Sequence, residues 1–135
     1  MLLPLPLARV RAMSLEHHLA LVALHSGRGS MDQVNVLLKV VFLAYFTAGM
    51  EHEPVDLDMF RAAEAALECC GLRGNRDGNW PLSAADRAVL APILALHDRQ
   101  LGSMPSWRYR EAWTRLHAFL HDDTHSPLPS IPGCP

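Results

Sequence analysis

The sequence predicts an all-α protein, a compact five-helix domain built around a central apolar helix. Three observations support this fold class. Residues 34–46 read VNVLLKVVFLAYF, in which polar side chains occur only at Asn35 and Lys39. Four other segments carry apolar residues at helical spacing between capping signals. No segment shows the strict alternation of apolar and polar residues that is typical of a half-buried strand.

The first predicted helix covers residues 15–26. Ser14 is placed as its N-cap, and Gly27 as its end. Helical spacing assigns four apolar residues to its core side: Leu15, Leu19, Val22 and Ala23. Because the connector to the next helix is short, the first two helices should form an antiparallel hairpin.

The central helix is predicted over residues 31–48. Ser30 and Gln33 have the spacing of a capping box, and Gly49 predicts a left-handed stop. A helix this apolar must be surrounded by other helices. Its apolar run is shorter than the ~20 residues of a membrane span and contains Lys39, so we expect no membrane insertion.

Three further helices follow. The third is predicted from Asp56 to Gly71, and a turn-rich loop over residues 71–81 should separate it from the fourth. The fourth begins with the Ser83 cap, runs to about residue 101 and should kink at Pro92. The fifth covers residues 106–121 and should bury one arc: Tyr109, Ala112, Trp113, Leu116, Phe119 and Leu120.

The chain of 135 residues is long enough for one core and divides into three predicted parts. These are an N-terminal extension (residues 1–13), the helical domain (14–122) and a tail rich in proline and serine (123–135). Three cysteines, an odd number, give no disulfide framework and predict a reducing cytoplasm. The net charge of -2 implies no overall attraction to nucleic acid or to anionic membranes.

The order of these elements resembles a loose group of small, uncharacterised helical proteins encoded on phages, plasmids and integrated elements of proteobacteria. The likeness covers residues 15–121, and its most distinctive strings are residues 27–35 and 97–101. Members sometimes carry the label of a Fis-like regulator. The resemblance implies a mobile-element context, in which small proteins commonly bind, block or recruit another protein, and it transfers no catalytic residue.

Two predicted surfaces could bind a protein partner. The first is an acidic edge around the third helix that could dock on a basic groove of a nucleic-acid-handling protein; it comprises Glu51, Glu53, Asp56, Asp58, Glu64 and Glu68. Its alternative interpretation is a solvated helix start. The second is an apolar anchor formed by Leu43 and Phe46, which share the polar sector of the central helix with Asn35 and Lys39. A covering loop or the N-terminal extension would instead bury this pair.

Arginines of the last two helices suggest a competing interaction with phosphates. The set comprises Arg99, Arg108, Arg110 and Arg115. His117 and His121 are four residues apart, as two zinc ligands on one helix would be, but we expect a solvated histidine edge and no metal site. His97 lies within the apolar arc of the fourth helix and is predicted to be buried and hydrogen-bonded.

No motif for a nucleophile, a phosphate loop or a metalloprotease occurs in the sequence. The sequence therefore predicts a non-catalytic protein-binding factor without cofactor, such as an anti-CRISPR-like inhibitor of a host defence system. The alternative is a small DNA-binding regulator that uses the arginines of the last helix. A homodimer is compatible with either function.

Overall fold

The computed structural model describes residues 3–52, 54–80 and 82–121, excluding the side chain of His121. Five helices, α1 to α5, make up most of this part of the chain: Leu7–His25, Met31–Met50, Leu57–Asp77, Ala84–Ser103 and Ser106–His121. Within these ranges there is no strand, and Pro4 and Pro105 form an isolated bridge. The prediction of an all-α fold around a central apolar helix is confirmed, because α2 packs on all four other helices.

The capping box at the start of α2 is present as predicted. The backbone N–H of Ser30 donates to Oε1 of Gln33 at 2.7 Å, and the Ser30 hydroxyl accepts from the N–H of Asp32 at 3.3 Å. Gly49 does not end the helix, because α2 continues to Met50. The chain reverses afterwards at His52, which has a φ of 56°.

By length and composition, α2 is the one described helix that could cross a membrane, whereas the sequence analysis judged its apolar run too short. Half of the relevant window is buried inside the bundle. Core helices and signal sequences meet the same criterion, so this finding is a weak indication of a membrane span.

The first helix differs from its prediction in both length and orientation. It begins at Leu7 rather than at residue 15, and Ser14 lies inside it instead of capping it. The core side carries Ala20, Leu21 and Leu24. The predicted core face is wrong, because α1 carries large apolar residues on two opposite faces and its periodicity alone cannot select the face that packs.

The N-terminal segment packs on the helical bundle. Leu5 is buried in a second, smaller core that it shares with Leu101, Met104 and Tyr109. Ser106 donates its backbone N–H and its hydroxyl to the carbonyl oxygen of Leu3, at 2.8 and 3.0 Å. The predicted boundary at residue 13 therefore does not separate residues 3–13 from the helical domain, and the predicted tail lies outside the described residues.

The third helix continues through most of the predicted loop. Gly71, the predicted stop, lies inside α3, which ends six residues later at Asp77. Gly78 then takes the left-handed conformation, with a φ of 70°. Gly74 is needed within the helix because a Cβ at this position would overlap the ring of Trp80.

The fourth and fifth helices begin where the sequence predicts. Ser83 and Asp86 form a capping box, with hydrogen bonds of 3.0 and 3.3 Å. In α5, Tyr109, Ala112 and Leu116 are buried as expected. Leu120 is exposed, so its predicted burial is wrong.

No disulfide framework was predicted from the three cysteines, but Cys69 is disulfide-bonded. Cys70 is free and buried, and burial raises the pKa of its thiol. Cys134 lies outside the described residues. Disulfides are typical of oxidising compartments, so the cytoplasmic location stays a prediction.

Candidate functional site

The predicted acidic edge does not form one exposed surface. Glu64 is 3% exposed and faces the core, so a partner cannot reach it. Glu51 accepts a hydrogen bond from Nη1 of Arg108 at 3.0 Å, and this partly buried ion pair joins the end of α2 to the start of α5. Asp56 caps α3 by accepting a hydrogen bond from the N–H of Met59 at 3.1 Å.

Two acids of this set, Asp58 and Glu68, are exposed and have no firm structural role. Asp58 lies 3.7 Å from Arg61 on the surface of α3, a contact too long and exposed to hold it firmly. Glu68 is exposed ten residues further along the helix, about 15 Å away by helical rise. Glu53 lies outside the described residues. These carboxylates are too dispersed to act as one docking edge.

The apolar anchor is also buried. Leu43 is 3% exposed and Phe46 is 8% exposed. The ring of Phe119 lies 5.5 Å from that of Phe46, so α5 covers this side of α2. The predicted exposed anchor is wrong because the polar sector of α2 is limited to its first half, and the second half of the same sector faces another helix.

The arginines of the alternative prediction do not converge. Arg108 is held by Glu51, and Nε of Arg115 lies 3.5 Å from Oε1 of Glu111. Arg99 and Arg110 are exposed and form no ion pair within the described ranges. Arg9 was not among the predicted site residues, but its guanidinium lies 5.6 Å from the centre of the Tyr109 ring and lines a surface cavity with Arg110.

The two weak metal candidates are not brought into a ligand set. His117 packs against the ring of Trp113 at 5.5 Å, and the side chain of His121 is not among those described. No group of three histidine, cysteine or acidic side chains within the described ranges is arranged to hold a metal ion.

A buried cluster of polar side chains connects α1, α2 and α4. Nδ1 of His97 lies 3.2 Å from Oε1 of Gln100, and the Gln100 amide donates to the carbonyl oxygen of Ala44 at 3.1 Å. Because an amide oxygen only accepts, Nδ1 of His97 carries the proton and Nε2 carries a lone pair. The prediction of a buried, hydrogen-bonded His97 is confirmed, since the residue is 1% exposed.

Two histidines of α1 face this cluster. The ring of His17 lies 5.5 Å from the ring of His97, and Nε2 of His18 lies 2.8 Å from Oδ2 of Asp98. Burial lowers the pKa of His97 to about 4 and also lowers the pKa of His17. A substrate cannot reach the lone pair of His97 unless α1 moves, so the cluster fits a role in holding α1 on α4 better than acid–base catalysis.

The outward face of α1 carries three exposed large aliphatic side chains. Leu15, Leu19 and Val22 are 60%, 57% and 55% exposed. Their spacing of four and three residues places all three on one side of the helix, opposite the buried Leu24. We call these three residues the α1 stripe.

A groove between α1 and α2 borders the α1 stripe. Its lining includes alanines of α1 and Val36 of α2, and the exposed Glu16 and Asp32 form an acidic rim. Neither carboxylate forms an ion pair within the described part of the chain. The groove is therefore apolar with an acidic rim, and the sequence analysis missed it because it assigned the α1 stripe to the core.

Comparisons with protein-family models, curated proteins and solved structures found no match.

Proposed function

We propose that this chain is a non-catalytic protein-binding factor and that it binds through the α1 stripe and the adjacent groove. The observation that carries the proposal is the exposure of three large aliphatic side chains on one face. Exposed contiguous apolar patches mark interaction sites, and α1 carries large aliphatic side chains on its outward face as well as on its packed face.

The contacts behind α1 favour binding by this face. The ring contact between His17 and His97, and the hydrogen bond between Nε2 of His18 and Oδ2 of Asp98, hold α1 on α4. A helix that is already ordered loses less conformational entropy when it binds a partner. The α1 stripe is therefore preorganised.

The groove also indicates the chemistry of its occupant. An amphipathic helix can lay its apolar side chains on such a surface. The acidic rim at Glu16 and Asp32 favours basic side chains on the flank of the incoming helix. We therefore expect a helical protein segment whose apolar face is bordered by arginine or lysine.

On the resemblance carried by residues 15–121, we also propose that this activity belongs to a mobile genetic element. In that setting the factor would capture a host or element-encoded protein, and an inhibitor of a nucleic-acid-handling defence enzyme is the most concrete form. The apolar α1 stripe replaces the dispersed acidic edge as the proposed contact surface.

A capture experiment with matched variants tests this proposal. Immobilised wild type, Leu19→Lys and Leu72→Lys are exposed to proteobacterial lysate with and without nuclease. Leu72 is the control because it is similarly exposed, at 62%, but lies on α3. We expect a nuclease-resistant protein partner that Leu19→Lys loses and Leu72→Lys keeps. Equal capture by both variants would reject the α1 stripe as the binding surface.

The DNA-binding alternative has less support because Arg108 and Arg115 are already paired with acids. It predicts retention on DNA that falls steeply with added salt. If the wild type is retained on DNA, and if this retention is lost in Arg110→Ala and after nuclease treatment, DNA binding would be favoured over protein binding.

A further inference from the structure

The α1 stripe has the spacing of a coiled-coil seam. Ala12, Leu15, Leu19 and Val22 follow one another at intervals of three, four and three residues, and all four are exposed. These are alternating a and d positions of two heptads. A seam of this kind buries its side chains against a second helix with the same repeat.

Charged residues flank the seam at complementary positions. Arg11 immediately precedes Ala12 and takes a g position, and Glu16 immediately follows Leu15 and takes an e position. Residues at g and e in a coiled coil form the interhelical ion pairs that set partner choice and orientation. Neither Arg11 nor Glu16 has an ion-pair partner within the described ranges, so both are available.

Symmetry then distinguishes two ways of pairing α1 with its copy. A two-fold axis parallel to the helices brings the Arg11 flank of one copy against the Glu16 flank of the other. A two-fold axis perpendicular to the helices maps each flank onto itself, which brings acid towards acid and base towards base. Charge complementarity therefore favours the parallel arrangement.

We propose that two copies of this chain associate through α1 in a parallel, coiled-coil-like seam, with Leu15, Leu19 and Val22 at its centre. An ion pair between Arg11 and Glu16 of the other copy forms on each side of the seam. The inference rests on the proposed function because it names a second copy as a partner of the α1 stripe. Two heptads give a small interface, so we expect a dissociation constant of roughly 1–100 μM.

Charge-swapped variants test both the dimer and its orientation. In Arg11→Glu, each interface pair joins two acids; in Glu16→Arg, each joins two bases. We expect each variant alone to dimerise roughly tenfold more weakly than the wild type in sedimentation velocity. An equimolar mixture of the two should regain dimers of wild-type affinity, because every pair in the mixed dimer joins an acid to a base.

Two further variants control the experiment. Leu19→Lys should remain monomeric with an unchanged far-ultraviolet circular dichroism spectrum, and Leu72→Lys should dimerise like the wild type. If the wild type stays monomeric at every concentration, the proposed dimer is overturned. In that case the proposed function survives if Leu19→Lys still loses the partner captured from lysate. A dimer that is unaffected by Leu19→Lys, or single charge variants that do not regain affinity on mixing, would also overturn this inference.

Discussion

Acidification should destabilise this protein through His97, and the size of the effect follows from its burial. In the folded state, burial lowers the pKa of His97 to about 4, whereas an unfolded histidine has a pKa of about 6.5. Between these values the unfolded chain binds a proton that the folded chain does not. The contribution of neutral His97 to the free energy of unfolding is therefore fully present above pH 6.5. It is lost as the pH falls towards 4.

The linkage relation gives the magnitude for a practical pH interval. Between pH 7 and pH 5, the two pKa values correspond to a loss of about 2 kcal/mol in the free energy of unfolding. Burial lowers the pKa of His17 as well, which adds a contribution in the same direction. This loss is a large fraction of the stability of a small domain, typically about 5–15 kcal/mol.

Urea unfolding at a series of pH values measures the effect, with His97→Asn as the matched variant. An asparagine side chain can donate to Gln100 as Nδ1 of His97 does, but it does not titrate. The wild type should lose about 2 kcal/mol more than His97→Asn between pH 7 and pH 5. Parallel pH dependences of wild type and variant would show that His97 is not buried in its neutral form, and would refute the reasoning.

Three further predictions concern two glycines, the N-terminal segment and an ion pair. Gly74→Ala should lower the free energy of unfolding by about 1–3 kcal/mol, because its Cβ overlaps the ring of Trp80. Gly49→Ala, inside α2 with open space around it, should raise the free energy of unfolding by about 0.5–1 kcal/mol. Thermal unfolding of the two variants compares these effects. A Leu5→Ala variant should lose about 2–5 kcal/mol in urea unfolding, and an unchanged midpoint would show that the N-terminal segment does not pack on the bundle. Finally, Glu51→Gln should lower the free energy of unfolding by about 1 kcal/mol, because it removes a partly buried ion pair with Arg108. Salt screens this pair, so the loss should be smaller at high salt. A loss that does not depend on salt would argue against an ionic contribution.

Local signals predicted the starts of four helices, α2 to α5, well. The capping boxes at Ser30 and Ser83 are short-range hydrogen-bonding patterns, and both are formed. Stops were predicted less well, because Gly49 and Gly71 were assigned as helix ends although both lie inside helices. The left-handed conformation that follows α2 and α3 occurs at His52 and Gly78 instead, so the presence of a glycine does not by itself locate a helix end.

The candidate site could not be predicted because it depends on which face of α1 packs. Leu15 and Leu21 are equally apolar, and only the position of α2 and α4 decides that Leu21 is buried and Leu15 is exposed. The same applies to Phe46, whose burial depends on α5, an element remote in sequence. The burial of Glu64 likewise follows from the orientation of α3 rather than from its charge.

Methyl-resolved nuclear magnetic resonance provides the most direct test of the α1 stripe as a binding surface. Leucine methyl signals would be recorded as the protein concentration is raised, and again after addition of the captured partner. We predict that signals of Leu15 and Leu19 shift in at least one of these titrations while that of Leu72 stays unchanged. Signals of Leu15 and Leu19 that remain constant in both titrations would contradict the account.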